Sequence, residues 1–153
     1  PGERIGYLAA NPRCEDADLI VPMCGQISRG TGHNCPSGLF QRAVARCLDD
    51  TSDLSVYETN MELLYAELKR LGFTVQKPDG TFYIFPKALE ADANAFCRKA
   101  MRYDLALVPG DTFGCPGYFR MAYCIETEKV RRSFAALERF VREEYGVEKP
   151  EKN

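Results

Sequence analysis

Apolar residues recur along the chain in two rhythms, alternation for a half-buried strand and every third or fourth position for a helix, and their order predicts the elements. Residues 5–10 form an apolar run closed by Asn11-Pro12, the pattern of a buried strand. Residues 16–27 set Leu19, Ile20, Met23 and Ile27 at helical spacing, with Pro22 limiting how regular the early turns can be. The stretch 28–37, Ser-Arg-Gly-Thr-Gly-His-Asn-Cys-Pro-Ser, is dense in turn formers and predicts a loop. Ser37 is placed to cap a second helix, whose stripe is Leu39, Phe40, Ala43, Val44, Cys47 and Leu48. A long amphipathic helix then runs to Leu71 with Leu54, Tyr57, Met61, Leu64, Tyr65 and Leu68 on one side, and Gly72 is placed to end it.

From Phe73 the character changes. Residues 73–77 and 81–85 read as strands around Pro78-Asp-Gly80, which is hairpin chemistry. Asp92 is placed to cap a helix carrying Ala93, Phe96, Ala100 and Met101. Two apolar strands follow, joined by a loop crowded with Gly and Pro: Leu105-Ala-Leu-Val-Pro-Gly-Asp-Thr-Phe-Gly-Cys-Pro-Gly-Tyr-Phe-Arg120-Met-Ala-Tyr-Cys124. Alternation after the loop puts Tyr118, Arg120, Ala122 and Cys124 on one face and Phe119, Met121 and Tyr123 on the other. A last helix over about 126–145 carries Val130, Phe134, Leu137 and Val141, and the tail 148–153 is expected to be disordered. Strand, strand, helix, strand, strand, helix makes a compact α+β unit. The single strand before it has no partner, so the first part is expected to complete a sheet supplied from outside the chain.

Composition narrows the function classes. A hydrophobic share of 45% and a charged share of 27% are those of a globular protein. A net charge of -2, with no basic run longer than Arg131-Arg132, offers no footprint for nucleic acid. No stretch has the apolar length of a membrane span, and the first residues lack the design of a signal peptide. A cytoplasmic location is the expectation. Seven cysteines are an odd number without a Cys-x-x-Cys, and His33 is the one histidine beside them. No metal site is expected, and the cysteines read as mostly buried thiols in a reducing compartment. The chain starts at Pro1, without Met and straight into apolar sequence, so it is expected to be a piece of something longer.

The candidate chemistry centres on Arg120, a charge in an otherwise apolar strand. Such an arginine can sit on an edge, snorkel to solvent or pair with a carboxylate. Alternatively it is a desolvated guanidinium waiting for a planar anion, because its fork of donors matches a carboxylate bidentately.

Three stretches, in this order, bear on the choice: Pro1-Gly-Glu-Arg-Ile-Gly-Tyr7, Pro78-Asp-Gly-Thr-Phe-Tyr-Ile-Phe85, and Val108-Pro-Gly-Asp-Thr-Phe-Gly114 leading to Arg120. Together they resemble the C-terminal part of a fold-type I, pyridoxal-phosphate-dependent class I/II aminotransferase of the aspartate aminotransferase group, over residues 1 to about 145. The resemblance implies an α/β and α+β fold: the C-terminal end of a large cofactor domain over 1–53, a connecting helix over 54–72, a small α+β domain over 73–147 and a tail over 148–153. It implies that Arg4 helps hold the phosphate of pyridoxal 5'-phosphate and that Arg120 grips the substrate α-carboxylate. It also implies a role for Arg29, shortly before Asn34-Cys-Pro36, in reaching a neighbouring subunit of a homodimer and binding the distal carboxylate of a dicarboxylic substrate. His33 reads as a loop hydrogen-bonding residue, not a catalyst.

In such enzymes the catalytic lysine stands a short way upstream of the segment that Arg4 matches. Here the first lysine is Lys69, and neither it nor Lys77, Lys87, Lys99 or Lys129 occupies that context. The phosphate-cradling helix N-terminus and the aspartate that pairs with the pyridine nitrogen are not matched either. No catalytic residue is therefore assigned within the chain. The expected function is amino-group exchange between an amino acid, aspartate favoured, and a 2-oxo acid, by the full-length parent, with this chain inactive alone and self-associating. Two other readings stay open: a non-enzymatic α+β module that binds a small carboxylate or a protein partner, and a lyase or decarboxylase on the same cofactor.

Overall fold

The computed structural model describes residues 4–33 and 35–147. Residues 1–3, Asn34 and the tail expected to be disordered lie outside the described residues. The chain divides into two compact units, Pro1–Thr51 and Ser52–Asn153.

The first unit holds α1, Ala17–Gly30, and α2, Gly38–Val44, and none of its described residues is buried. The strand expected over 5–10 is not formed: these residues carry no regular structure, and Tyr7 is 96% exposed. A strand needs a neighbour for its N–H and C=O groups, and the unit supplies none. Helix α1 passes through Pro22 and runs on to Gly30, so Ser28, Arg29 and Gly30 are helical and not part of the expected loop. The chain leaves it through Gly32, whose φ of 78° suits glycine. Ser37 stands at the N-cap of α2 but makes no side-chain capping bond, and α2 stops at Val44, short of the expected Leu48.

The second unit has a continuous core. Helix α3, Leu54–Arg70, starts at Asp53, whose carboxylate accepts the Ser55 N–H at 3.0 Å. It ends as expected at Gly72, with φ 83°, where the Phe73 N–H returns to the Leu68 carbonyl at 3.0 Å. Strand β1 is Tyr83–Ile84, helix α4 is Ala93–Ala100, β2 is Val108–Pro109, β3 is Phe119–Ala122 and α5 is Thr127–Tyr145. Asp92 caps α4 as expected, accepting from the Asn94 and Ala95 N–H groups. The three strands form an antiparallel sheet in the order β1-β3-β2. One face carries Ile84, Phe119 and Met121 into a core shared with Leu64 and Leu68 of α3, Phe96 of α4, and Leu137, Phe140 and Val141 of α5.

The hairpin expected around Pro78-Asp-Gly80 does not form. Residues 73–77 have no assigned strand, and the Thr74 carbonyl instead accepts the Lys87 N–H at 2.8 Å. Thr81 has a φ of 67°, and Tyr123 holds the turn by donating its hydroxyl to the Thr81 carbonyl at 3.0 Å. The second arm is thereby turned onto β3, in the register Tyr83↔Ala122 and Ile84↔Met121. Asn60, fully buried in α3, gives its amide to the carbonyls of Tyr123 at 3.0 Å and Ile125 at 2.7 Å, fixing the chain as it leaves β3.

Candidate functional site

Strand β3 sorts its side chains as alternation requires: Phe119, Met121 and Tyr123 are buried, while Tyr118 and Arg120 are half-buried on the other face and Ala122 and Cys124 are exposed. Arg120 stands opposite Val108 of β2. Its guanidinium carbon lies 4.2 Å from the centroid of the Tyr83 ring and 4.3 Å from that of Phe113. Among the described residues the Arg120 guanidinium makes no hydrogen bond and no ion pair. Arg70 and Arg102 differ, ending on Glu67 and Glu138 and on Glu144 respectively.

Tyr83 reaches the arginine diagonally from β1: its register partner is Ala122, two residues beyond Arg120 on the same face of β3. Phe113 arrives from the loop between β2 and β3, where Asp111–Phe113 form a single 3-10 turn. That loop is folded tightly on itself. The Gly110 N–H donates to the Tyr118 carbonyl at 2.8 Å, and the Gly110 carbonyl accepts from Phe113 at 2.9 Å and Cys115 at 3.0 Å. A Cβ at position 110 would stand 2.8 Å from the Tyr118 carbonyl oxygen and closer still to that of Cys115, so only glycine fits. Asn94 of α4 donates to the Asp111 carboxylate at 3.2 Å, tying the loop to the helix behind it. Phe85 supports the Phe113 ring edge-on, with centroids 6.0 Å apart.

Beside this face lies an open groove of about 830 Å³, lined by Val75, Lys77, Tyr83, Phe85, Cys115 and Tyr118 among others. Its one cationic side chain, Lys77, is paired with Glu62, and Arg120 does not line it. Among the described residues, then, the groove's own cation is paired, whereas the Arg120 guanidinium held by the two rings has no anionic partner.

Arg4 and Arg29 belong to the first unit. Arg4 is exposed and without an ion pair among the described residues. Arg29 is exposed in the last turn of α1, where a cation suits the helix C-terminus, and not in the loop assigned to it by spacing. His33 is exposed; its backbone N–H donates to Ser28 at 2.9 Å. The expectation of mostly buried thiols is corrected: Cys97 is buried, Cys24 is half-buried, and Cys14, Cys35, Cys47, Cys115 and Cys124 are exposed. Four of the seven lie in the first unit, none of whose described residues is buried. Among the described residues no cluster of His, Cys, Asp and Glu suits a metal, and no helix is long and apolar enough to cross a membrane.

The sequence pointed to Arg120 but not to the rings that hold it. Tyr83 and Phe113 lie in the motifs around residues 78–85 and 108–114, yet their meeting on one guanidinium depends on a cross-strand register and a loop path that spacing does not contain.

Residues 1–137 match the family described as aminotransferase class I and II. The chain is 31% identical to the aspartate aminotransferase of Geobacillus stearothermophilus over 92% of its own length and 37% of that enzyme's. It is 28% identical to aromatic-amino-acid aminotransferase 2 of Thermococcus litoralis, over 93% of this chain and 38% of that one. The crystal structure of an amino transferase from Eubacterium rectale superposes with a TM-score of 0.78 at 43% identity, covering 94% of this chain and 36% of that one. The chain thus spans little more than a third of the length of the relatives it matches.

Proposed function

The chain belongs to the aminotransferase class I and II family, and from that premise we propose that it is the C-terminal part of an aspartate aminotransferase-like enzyme moving an amino group between an amino acid and a 2-oxo acid. Residues 1–53 are the end of its large domain, 54–72 the connecting helix and 73–147 the small domain. Aspartate is the favoured amino donor. The observation that carries the reading is Arg120: half-buried, held against two rings, and with every guanidinium N–H free of protein acceptors among the described residues. It binds the substrate α-carboxylate through its planar fork. Each charge-assisted hydrogen bond there is worth about 1.5 to 3 kcal/mol. Its larger effect is orientation, since a fixed carboxylate fixes which Cα bond is presented for cleavage.

The cofactor of this reading is pyridoxal phosphate, which when bound supplies the electron sink for the breaking Cα bond. Arg4, exposed and unpaired among the described residues, fits the role of a phosphate ligand. Arg29 serves the distal carboxylate of a dicarboxylic substrate across a homodimer, and its place at the exposed end of α1 is compatible with that reach. A cytoplasmic location belongs to the same reading, since seven widely spread cysteines without a Cys-x-x-Cys suit a reducing compartment. In this reading the chain alone is inactive, since none of Lys69, Lys77, Lys87, Lys99 and Lys129 stands in the context of the family's catalytic lysine. Borohydride reduction of the chain with pyridoxal phosphate should leave no stoichiometric label on one lysine, and such a label would overturn this assignment.

In the full-length enzyme Arg120→Ala should raise KM and lower kcat together, reducing kcat/KM about 10- to 100-fold for loss of one such interaction. Unchanged kinetics would return Arg120 to a structural role. A second reading, a carboxylate-binding module without catalysis, is favoured by one fact: the second unit has its own core and carries Arg120. Carboxylate binding without transamination by any longer polypeptide containing this chain would select it.

A further inference from the structure

An arginine can be fixed in place by a carboxylate, which neutralises it and occupies its donors, or by aromatic rings, which do neither. Arg70 and Arg102 are of the first kind and Arg120 is of the second. Both ring centroids lie well inside the range of about 6 Å over which a ring attracts a cation. The rings offer no acceptor to the guanidinium among the described contacts, so its in-plane N–H groups remain available.

Phe113 is not there to fill a core. It is 46% exposed, and its neighbours are the Arg120 guanidinium and Phe85. The loop is nevertheless built to bring it there, with Gly110 at a position that admits no side chain and Gly114 and Gly117 at φ 72° and 78°.

We infer that Tyr83 and Phe113 are positioning residues: they hold the Arg120 fork in its binding orientation before a carboxylate arrives, without consuming its charge or its donors. The inference rests on the reading of Arg120 as the carboxylate ligand. Pre-ordering lowers the entropy lost when the long side chain is fixed by the ligand. Removing one ring loosens the fork, and carboxylate binding weakens about 3- to 10-fold, the scale of a single cation–π contact.

The test uses the 153-residue chain, side-chain ¹⁵N spectra of its arginines, and propionate as the probe, with Arg120→Gln assigning the Arg120 Nε–H resonance. In the wild-type chain that resonance should be shifted by ring current and should move saturably with propionate. Phe113→Leu and Tyr83→Leu should each reduce the ring-current shift and weaken propionate binding about 3- to 10-fold. Tyr83→Phe, which keeps the ring, should restore both and show that the fold tolerates change there. Loss of the ring-current shift with unchanged propionate affinity in both leucine variants would overturn the positioning role and leave Arg120 as the ligand. A wild-type Arg120 resonance that propionate does not move would overturn Arg120 as the ligand, and this inference with it.

Discussion

At the scale of single residues, the second unit spends its buried polar groups on geometry. Asn60 is fully buried and joins α3 to two carbonyls beyond β3. Asn60→Leu would leave both carbonyls without their donor. It should destabilise the chain by about 2 to 3 kcal/mol, read as a lower urea midpoint with unchanged slope. Cys97 has a different consequence. Burial first, and then the negative charge of Asp111, push its thiol from 9.0 up to about 11. An unfolded thiol ionises near its ordinary value while the folded one resists, so this contribution is complete below that value and is lost as pH rises through the window from 9.0 to about 11. Urea titrations across that window should show falling stability in the wild type and a shallower fall in Cys97→Ala.

At the scale of elements, two devices shape the face that carries Arg120. The first is the Asp92 cap, which starts α4 with two hydrogen bonds and so sets the helix to which the Asp111 loop is tied. Asp92→Ala should cost about 1 kcal/mol in urea unfolding, the usual worth of such a cap. The second is Gly110. In Gly110→Ala the new methyl meets two carbonyl oxygens, so the loop must open and carry Phe113 away from Arg120. The ring-current shift of the Arg120 Nε–H should then shrink as it does in Phe113→Leu, although residue 113 is untouched. A retained shift would mean that the loop absorbs the methyl without moving the ring.

At the scale of the whole molecule, the two units differ in what holds them. The second closes a core from α3, the sheet, α4 and α5, whereas the first leaves Leu8, Leu19, Met23, Ile27, Leu39 and Leu48 exposed. Limited proteolysis should therefore cut first within residues 4–51 and leave a resistant product containing residues 52–147. The same exposed apolar side chains predict self-association of the chain, and light scattering showing a monodisperse monomer at all concentrations would count against it.

The sequence by itself determined the elements whose causes are local. Helical stripes placed α3 and α5, Asp92 and Gly72 marked helix ends, and period-two alternation put Arg120 on the face away from the core. Each of these follows from residues within a turn or two of one another. Its motifs also carried the family resemblance. What only the tertiary structure decided depends on partners distant in the chain. Residues 5–10 have strand composition and no strand, because pairing needs a neighbour. Residues 73–77 lost their hairpin because Tyr123, far along the chain, holds the turn and directs the second arm onto β3. Arg29 was assigned to a loop that α1 overran. The state of Arg120 was settled in the same way: a guanidinium free of carboxylates and held by Tyr83 and Phe113 exists only once β1, β3 and the Gly110 loop have been brought together.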